Sequence, residues 1–137
     1  MTTSAISDVQ IPEVKTAADL AQQAEEYQSA VQKIVVSHAV NELYGAQVFD
    51  EPAIKLAPTP YAKWLACRIA MEEYHHHVRF KALADEIGIP AQRTDPSVKK
   101  PLSIFEFELN TWAEWTVFGG LAITALGAGI AVQSRLR

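Results

Sequence analysis

A single cysteine, Cys67, stands in the whole chain, so no disulfide framework can form within it, and a reducing compartment suits it. Positive charge is also short: 12 Lys and Arg against 16 Asp and Glu leave a formal net charge of −4. That balance argues against nucleic acid as the main partner. There is no Gly-x-Gly-x-x-Gly, and one cysteine cannot hold an iron–sulfur cluster, so the chain carries neither a flavin motif nor a cluster motif of its own. The stretch Met1–Asp8 lacks the basic and apolar regions of a signal peptide, and a cytoplasmic protein is expected. The alternating pattern of strands is missing throughout.

What is present is helical periodicity punctuated by proline. At 137 residues with 49 % apolar content, the chain allows one domain with a real core. Residues 1–15 read as an arm and 16–137 as the folded domain. Thr16, with Asp19 at the third position, opens a helix expected to reach about Phe49, with fraying or a kink on the way, before Asp50-Glu51-Pro52 stops it. Thr59-Pro60 caps a second helix, and Gly88-Ile89-Pro90 ends it. That helix is about 28 residues, or about 40 Å at 1.5 Å per residue, a length usual in long bundles. A polar loop over residues 89–102 follows, and Ser103-Ile104-Phe105-Glu106 reads as a capping box opening a third helix.

Three of the helical faces carry acids among apolar residues. On the second helix Leu65, Ile69, Glu73, His76, Phe80, Leu83 and Ile87 share one stripe. Burying that carboxylate and imidazole costs on the order of 2 to 7 kcal/mol for a polar group, and more for a charge, unless they are compensated. A metal ion would compensate both; a hydrogen-bonded Glu–His pair is the plainer alternative. The competing register, Glu72 with His75, falls beside Arg79 and Glu86 on the polar side, and His75 and His77 read as solvated surface histidines. On the first helix Glu42 lies on an inward stripe with Val31, Val35 and His38. A lone Glu on one helix followed by Glu-x-x-His on the next is the order used by ferritin-like di-metal sites. His38, one turn before Glu42, reads as an outer hydrogen-bond partner. A ligand set of carboxylates with an imidazole suits iron, with manganese as the alternative, better than zinc.

On the third helix Phe107, Thr111, Glu114, Phe118, Leu121 and Ala125 form a stripe, so Glu114 is a further metal-ligand candidate. From Trp115 to Val132 no residue is charged, 18 in a row, at the threshold of a membrane span. Gly119, Gly120, Gly127, Gly129 and several alanines fit the packed centre of a soluble bundle better, and a membrane anchor is not the expected reading.

The runs Ser37-His38-Ala39-Val40-Asn41-Glu42, Glu73-x-x-His76 with Asp85-Glu86-Ile87-Gly88, and Ser103-Ile104-Phe105 followed by Trp112-Ala113-Glu114 together resemble the phenylacetic acid catabolism family. The resemblance spans about Ala30 to Gln133 and is closest to the family's catalytic, ring-epoxidising subunits. It implies a ferritin-like bundle holding a di-iron centre that activates O2 and epoxidises the aromatic ring of a CoA thioester. On that likeness Glu42 would be the terminal acid of one iron, Glu73 the bridging carboxylate, His76 its imidazole and Glu114 the acid of the third helix. The family's later helix with a second Glu-x-x-His has no counterpart in these residues, which offer three carboxylates and one histidine where a full site has four and two.

The expectation is therefore an all-α, ferritin-like bundle of three long helices, completed by a second copy or a partner subunit. The expected activity is that of an O2-dependent di-iron monooxygenase on an acyl-CoA, with Glu42, Glu73 and His76 as its catalytic residues and a separate reductase as electron donor. The alternatives are a dimeric ferroxidase or iron-storage protein, and a metal-free scaffold subunit.

Overall fold

Over residues 13–118, which the computed structural model describes, every regular element is helical. Thr16 opens α1 (Ala17–Ala21) with a reciprocal cap: its Oγ1 accepts from Asp19 N–H (3.1 Å), while the Asp19 carboxylate accepts from Thr16 N–H (2.9 Å). The interruption allowed for on the way to Phe49 comes early and is a full break. The helix breaks at Ala24, and glutamine amides take up the freed carbonyls: Gln23 Nε2 donates to Asp19 O (3.1 Å), and Gln28 Nε2 donates to Gln23 O (2.7 Å). The long helix α2 then spans Glu25–Gly45.

The expected stop at Asp50-Glu51-Pro52 is corrected. Pro52 lacks an N–H for Val48 O, and its ring would crowd that carbonyl. A widened π turn over Ala46–Asp50 comes just before it, with Glu51 N–H reaching back to Ala46 O. The helix thereby continues as α3 (Glu51–Leu56).

The second long helix, α4 (Pro60–Glu86), has the cap and the proline anticipated for it: Thr59 Oγ1 accepts from Ala62 N–H (3.1 Å). At 27 residues it is close to the expected length. Its end is a Schellman arrangement, in which Ile89 N–H donates to Ala84 O (2.8 Å) and Gly88 N–H to Asp85 O (3.2 Å). Gly88 sits there at φ +74, and Ile89 packs back onto Ala84, Val35 and Val36.

Helices α2 and α4 run antiparallel, placing His77 beside Ala39 and stacking the Phe80 ring on His38 at 4.7 Å. The seam on α4 is lined by Ala62, Ala66, Ala70 and Ala84, all buried. The stripe expected from Leu65 to Ile87 is thus rotated off the contact, and Leu83 is 38 % exposed. Alanine lets two helix axes approach closely, so the small residues take the seam and the larger ones its flank.

The third helix begins later than expected. Ser103–Glu106 forms only a 3-10 turn with no side-chain cap, while Phe105 turns in toward Phe49 (ring centroids 5.3 Å). The cap is Thr111, whose Oγ1 accepts from Glu114 N–H (3.2 Å), and the helix α5 is described over residues 112–118. Two apolar clusters result. One joins Val35, Val36, Ala84 and Ile89, with Val31, Phe80 and Ile87 against it; the other joins Phe49, Ala53, Ala66 and Trp115, with Ile69, Phe105, Trp112 and Phe118 among its neighbours. The molecule is an all-α helical bundle, and among the described residues no helix is long and apolar enough to cross a membrane. The arm up to Pro12 and the uncharged run beyond Phe118 lie outside the described residues.

Gly88→Ala forces a side chain into the left-handed region, and urea denaturation should show a loss of about 1 to 2 kcal/mol. An unchanged midpoint would mean that the α4 terminus can end without this conformation.

Candidate metal centre

Between the two apolar clusters the α2–α4 seam carries a polar layer. Glu42 from α2 and Glu73 and His76 from α4 each offer one ligand atom, and these atoms lie within 4.8 Å of one another. His76 Nδ1 is 3.6 Å from Glu42 Oε2 and 3.7 Å from Glu73 Oε2. Those separations are too long for hydrogen bonds. Two atoms each about 2.1 Å from a common cation stand about 3.0 to 3.6 Å apart for bond angles between 90 and 120°, so the two His76 separations lie at the wide end of what a shared cation would give.

The layer is half-buried and opens on the α4 flank: the Glu42 side chain is 18 % exposed, Glu73 30 % and His76 46 %. His76 is thus less enclosed than the sequence stripe implied. His38 donates from Nδ1 to Glu42 Oε1 (2.7 Å), and its stacking on Phe80 fixes the ring, so it orients Glu42 while leaving Oε2 toward His76.

Two carboxylates this close cannot both stay charged. Burial, then the hydrogen bond to Glu42, then the charges of Glu42, Asp50 and Glu72 push Glu73 up to about 8. Burial also acts to raise Glu42, but the hydrogen bond from Glu73 and the hydrogen bond and charge of His38 outweigh it, with help from His76, and hold Glu42 below the usual carboxylate range. Near neutral pH and without a cation, the raised Glu73 and lowered Glu42 are thus expected to keep one proton between them.

The other expected residues go elsewhere. Glu72 and His75 face solvent as an exposed pair 3.9 Å apart. His77 is not a free surface histidine: its Nδ1 donates to Ala39 O (2.6 Å), tying α4 to α2 across the alanine seam. Glu114 does not reach the layer. Its carboxylate accepts from Asn110 N–H (2.9 Å) and Thr111 N–H (3.0 Å), completing the α5 cap, and these backbone hydrogen bonds hold its pKa below the ordinary value.

Asp50 was missed. It is buried at 8 % exposure at the end of the π turn, and Trp115 Nε1 donates to its Oδ1 (3.1 Å). Burial, partly offset by that indole and reinforced by the Glu42 charge, pushes Asp50 up to about 6. In sequence Asp50 reads as part of a helix stop, and only the persistence of the helix through Pro52 reveals it as an inward residue.

No family model matches the chain, and neither the curated proteins nor the solved structures give a match.

A carboxyl group whose pKa is raised on folding stabilises the fold below its unfolded pKa and loses that contribution as pH rises through its folded one. Glu73 and Asp50 are both raised, so the metal-free protein should melt several degrees higher near pH 5 than near pH 8.5, with the loss spread over the window up to about 8. Glu73→Gln, neutral at every pH, should flatten most of that slope in calorimetry. A slope of equal size in that variant would place the raised group elsewhere.

Proposed function

We propose that the layer of Glu42, Glu73 and His76 binds iron, and that the protein is a di-iron carboxylate protein of the O2-activating kind, similar to the ring-epoxidising component that acts on phenylacetyl-CoA. The carrying observation is the convergence of two carboxylates and an imidazole from two helices to within 4.8 Å of one another. The likeness of Ser37–Glu42, Glu73–His76 and Trp112–Glu114 to the phenylacetic acid catabolism family supplies the chemical class. When bound, iron would supply O2 activation for oxygen transfer to an aromatic acyl-CoA.

The chain's own residues do the rest. His38 holds Glu42 in one orientation, so one ligand is placed before any ion arrives. Glu73 gives up its proton as the ion enters, which lets a carboxylate replace a neutral acid without leaving like charges unpaired. The apolar clusters on either side keep bulk water from the ends of the layer. Glu42, Glu73 and His76 are half of a six-residue ligand set, and in this proposal a second copy or a partner subunit brings the other half, with a separate reductase as electron source.

One observation favours a second reading. The grooves of about 370 Å3 beside Val48, Pro52 and Phe105 and of about 360 Å3 beside Leu43, His77 and Lys81 are lined by none of the three ligand candidates. A layer open to solvent, with neither of these grooves adjoining it among the described residues, suits a ferroxidase that handles iron alone.

Anaerobic Fe(II) loading followed by elemental analysis should find iron on the wild type and at least a tenfold loss of affinity in Glu73→Ala. Because one proton must leave Glu73, affinity should rise about tenfold per pH unit up to about 8 and then level off. Equal iron content in wild type and variant would reject the site. After reduction, O2 with phenylacetyl-CoA should yield an oxygenated thioester once the ligand set is completed by a partner and a reductase is added. Iron oxidation with the thioester untouched would select the ferroxidase reading.

A further inference from the structure

The open flank of the polar layer matches itself when α4 is read backwards. His76 stands at its middle, with half-buried Ile69 seven residues before it and exposed Leu83 seven after; Glu72 lies four before and Arg79 three after, both exposed. We propose that a second copy of this chain docks antiparallel on this flank, about a two-fold axis beside His76, and that a divalent cation in the facing layers is what holds the two copies together. This inference rests on the metal-binding reading above and gives the missing half of its ligand set a source.

A two-fold axis across an antiparallel helix pair places each residue opposite the one equally far beyond the axis on the other copy. Leu83 then meets Ile69 of the second copy, apolar against apolar. Glu72 meets Arg79 of the second copy, so the rim is complementary in charge as well. Around the helix, Glu72 and Arg79 lie about 40 and about 60° to the same side of His76, while Val78 lies about 160° away on the far face. On α2 the flank continues through Ile34, 57 % exposed, and through half-buried His38 and Glu42. The same axis brings Glu42, Glu73 and His76 of each copy to the common interface, which completes the set of four carboxylates and two histidines that such bundles use.

The size of this face decides what holds the pair. From Ile69 to Leu83 is about 21 Å of helix, and two helices packed side by side are about 20 Å wide. The footprint is about 400 Å2 on each copy, or about 1,200 Å2 of total surface once side-chain ridges are counted, which is the low end for a specific interface. The interface also sets the acids of one layer against those of the other, and these repel unless a cation stands between them. Apolar contact over so small an area does not outweigh that repulsion. A cation reverses its sign, so association follows the metal.

Mn(II) is the probe, since its free form is counted by EPR while sedimentation equilibrium reads the mass. Over about 5 to 100 µM the full chain should be a monomer in EDTA and a dimer with saturating Mn(II). Arg79→Glu and Glu72→Arg, both at exposed positions that leave the fold intact by circular dichroism, should each weaken the Mn(II)-linked dimer about tenfold. Combined in one chain they restore opposite charges across the axis, and the dimer should return to within about threefold of wild type. Val78→Glu, on the far face, should change nothing. A chain that binds Mn(II) and stays monomeric overturns this inference while leaving the proposed function standing. A dimer equally tight in EDTA overturns the part given to the cation, and a Mn(II) dimer indifferent to both charge reversals, or broken by Val78→Glu, overturns the face. No Mn(II) or Fe(II) on the wild type overturns both readings.

Discussion

Glu42 and Glu73 face each other across a seam that would otherwise be pure alanine and valine, and the remainder of the site follows from how that conflict is resolved. Two anions at such a separation in a half-buried layer repel too strongly to coexist, so either a proton or a cation must stand between them. A proton suits the raised Glu73, while His38 holds Oε1 of the lowered Glu42. The stacking of His38 on Phe80 and the donation of His77 to Ala39 O lock the two helices on the near side of the acids. The polar layer is thus held on one side by contacts that do not themselves need an ion, and it stays open on the α4 flank.

The same layer explains the irregular backbone beyond Gly45. A regular helix meeting Pro52 would lose a hydrogen bond and crowd Val48 O, while a clean stop at Asp50 would withdraw Phe49 and Ala53 from the second apolar cluster. The π turn avoids both outcomes, keeping the helix alive to Leu56 and turning Asp50 inward. Burying that acid is tolerated because Trp115, reaching in from α5, gives it a donor, and Trp115 in turn packs at a tilt against Trp112, ring centroids 4.8 Å apart. Asp50 therefore adds a polar tie to the packing of Trp115 and Phe118 on Phe49 that holds α5 against the π turn.

Much of this was legible in the residues. The caps at Thr16 and Thr59, the glycine end at Gly88 and the length of α4 rest on local chemistry that a short window contains. The Glu73–His76 spacing and its pairing with Glu42 were readable because one helical turn brings residues three and four apart together. The rest depended on competition between distant parts. A hydrophobicity stripe favours leucine over alanine, so it pointed α4 toward Leu65 and Leu83, when close approach to the neighbouring helices rewards Ala62, Ala66, Ala70 and Ala84 instead. Both Ser103-x-x-Glu106 and Thr111-x-x-Glu114 are capping boxes by letter; the second forms, with Trp115 and Phe118 packing beside Phe49, while Phe105 of the first reaches Phe49 from a 3-10 turn. That choice consumed Glu114. Asp50 was hidden because a periodicity of 3.6 residues is broken by the turn that carries it.

Whether an ion here would be structural or functional can be argued from what lies on either side. Structural metal sites hold together chains that lack a core of their own, and such chains unfold when the metal is removed. In this bundle Val35, Val36, Ala84 and Ile89 pack beyond one end of the layer, and Phe49, Ala53, Ala66 and Trp115 beyond the other, so both helices are already clamped. Nor does the layer need an ion to balance its charges, because its raised carboxyls can hold protons. Filling it exchanges a proton for a cation, and the packing on both sides can remain as it is. On the proposed reading, an ion so placed is free to be loaded, lost and oxidised while the fold stays intact, which is what catalysis or iron handling requires and a structural site does not. The openness at His76 serves the same end, since a ligand that is nearly half exposed gives the ion a way in from the α4 flank.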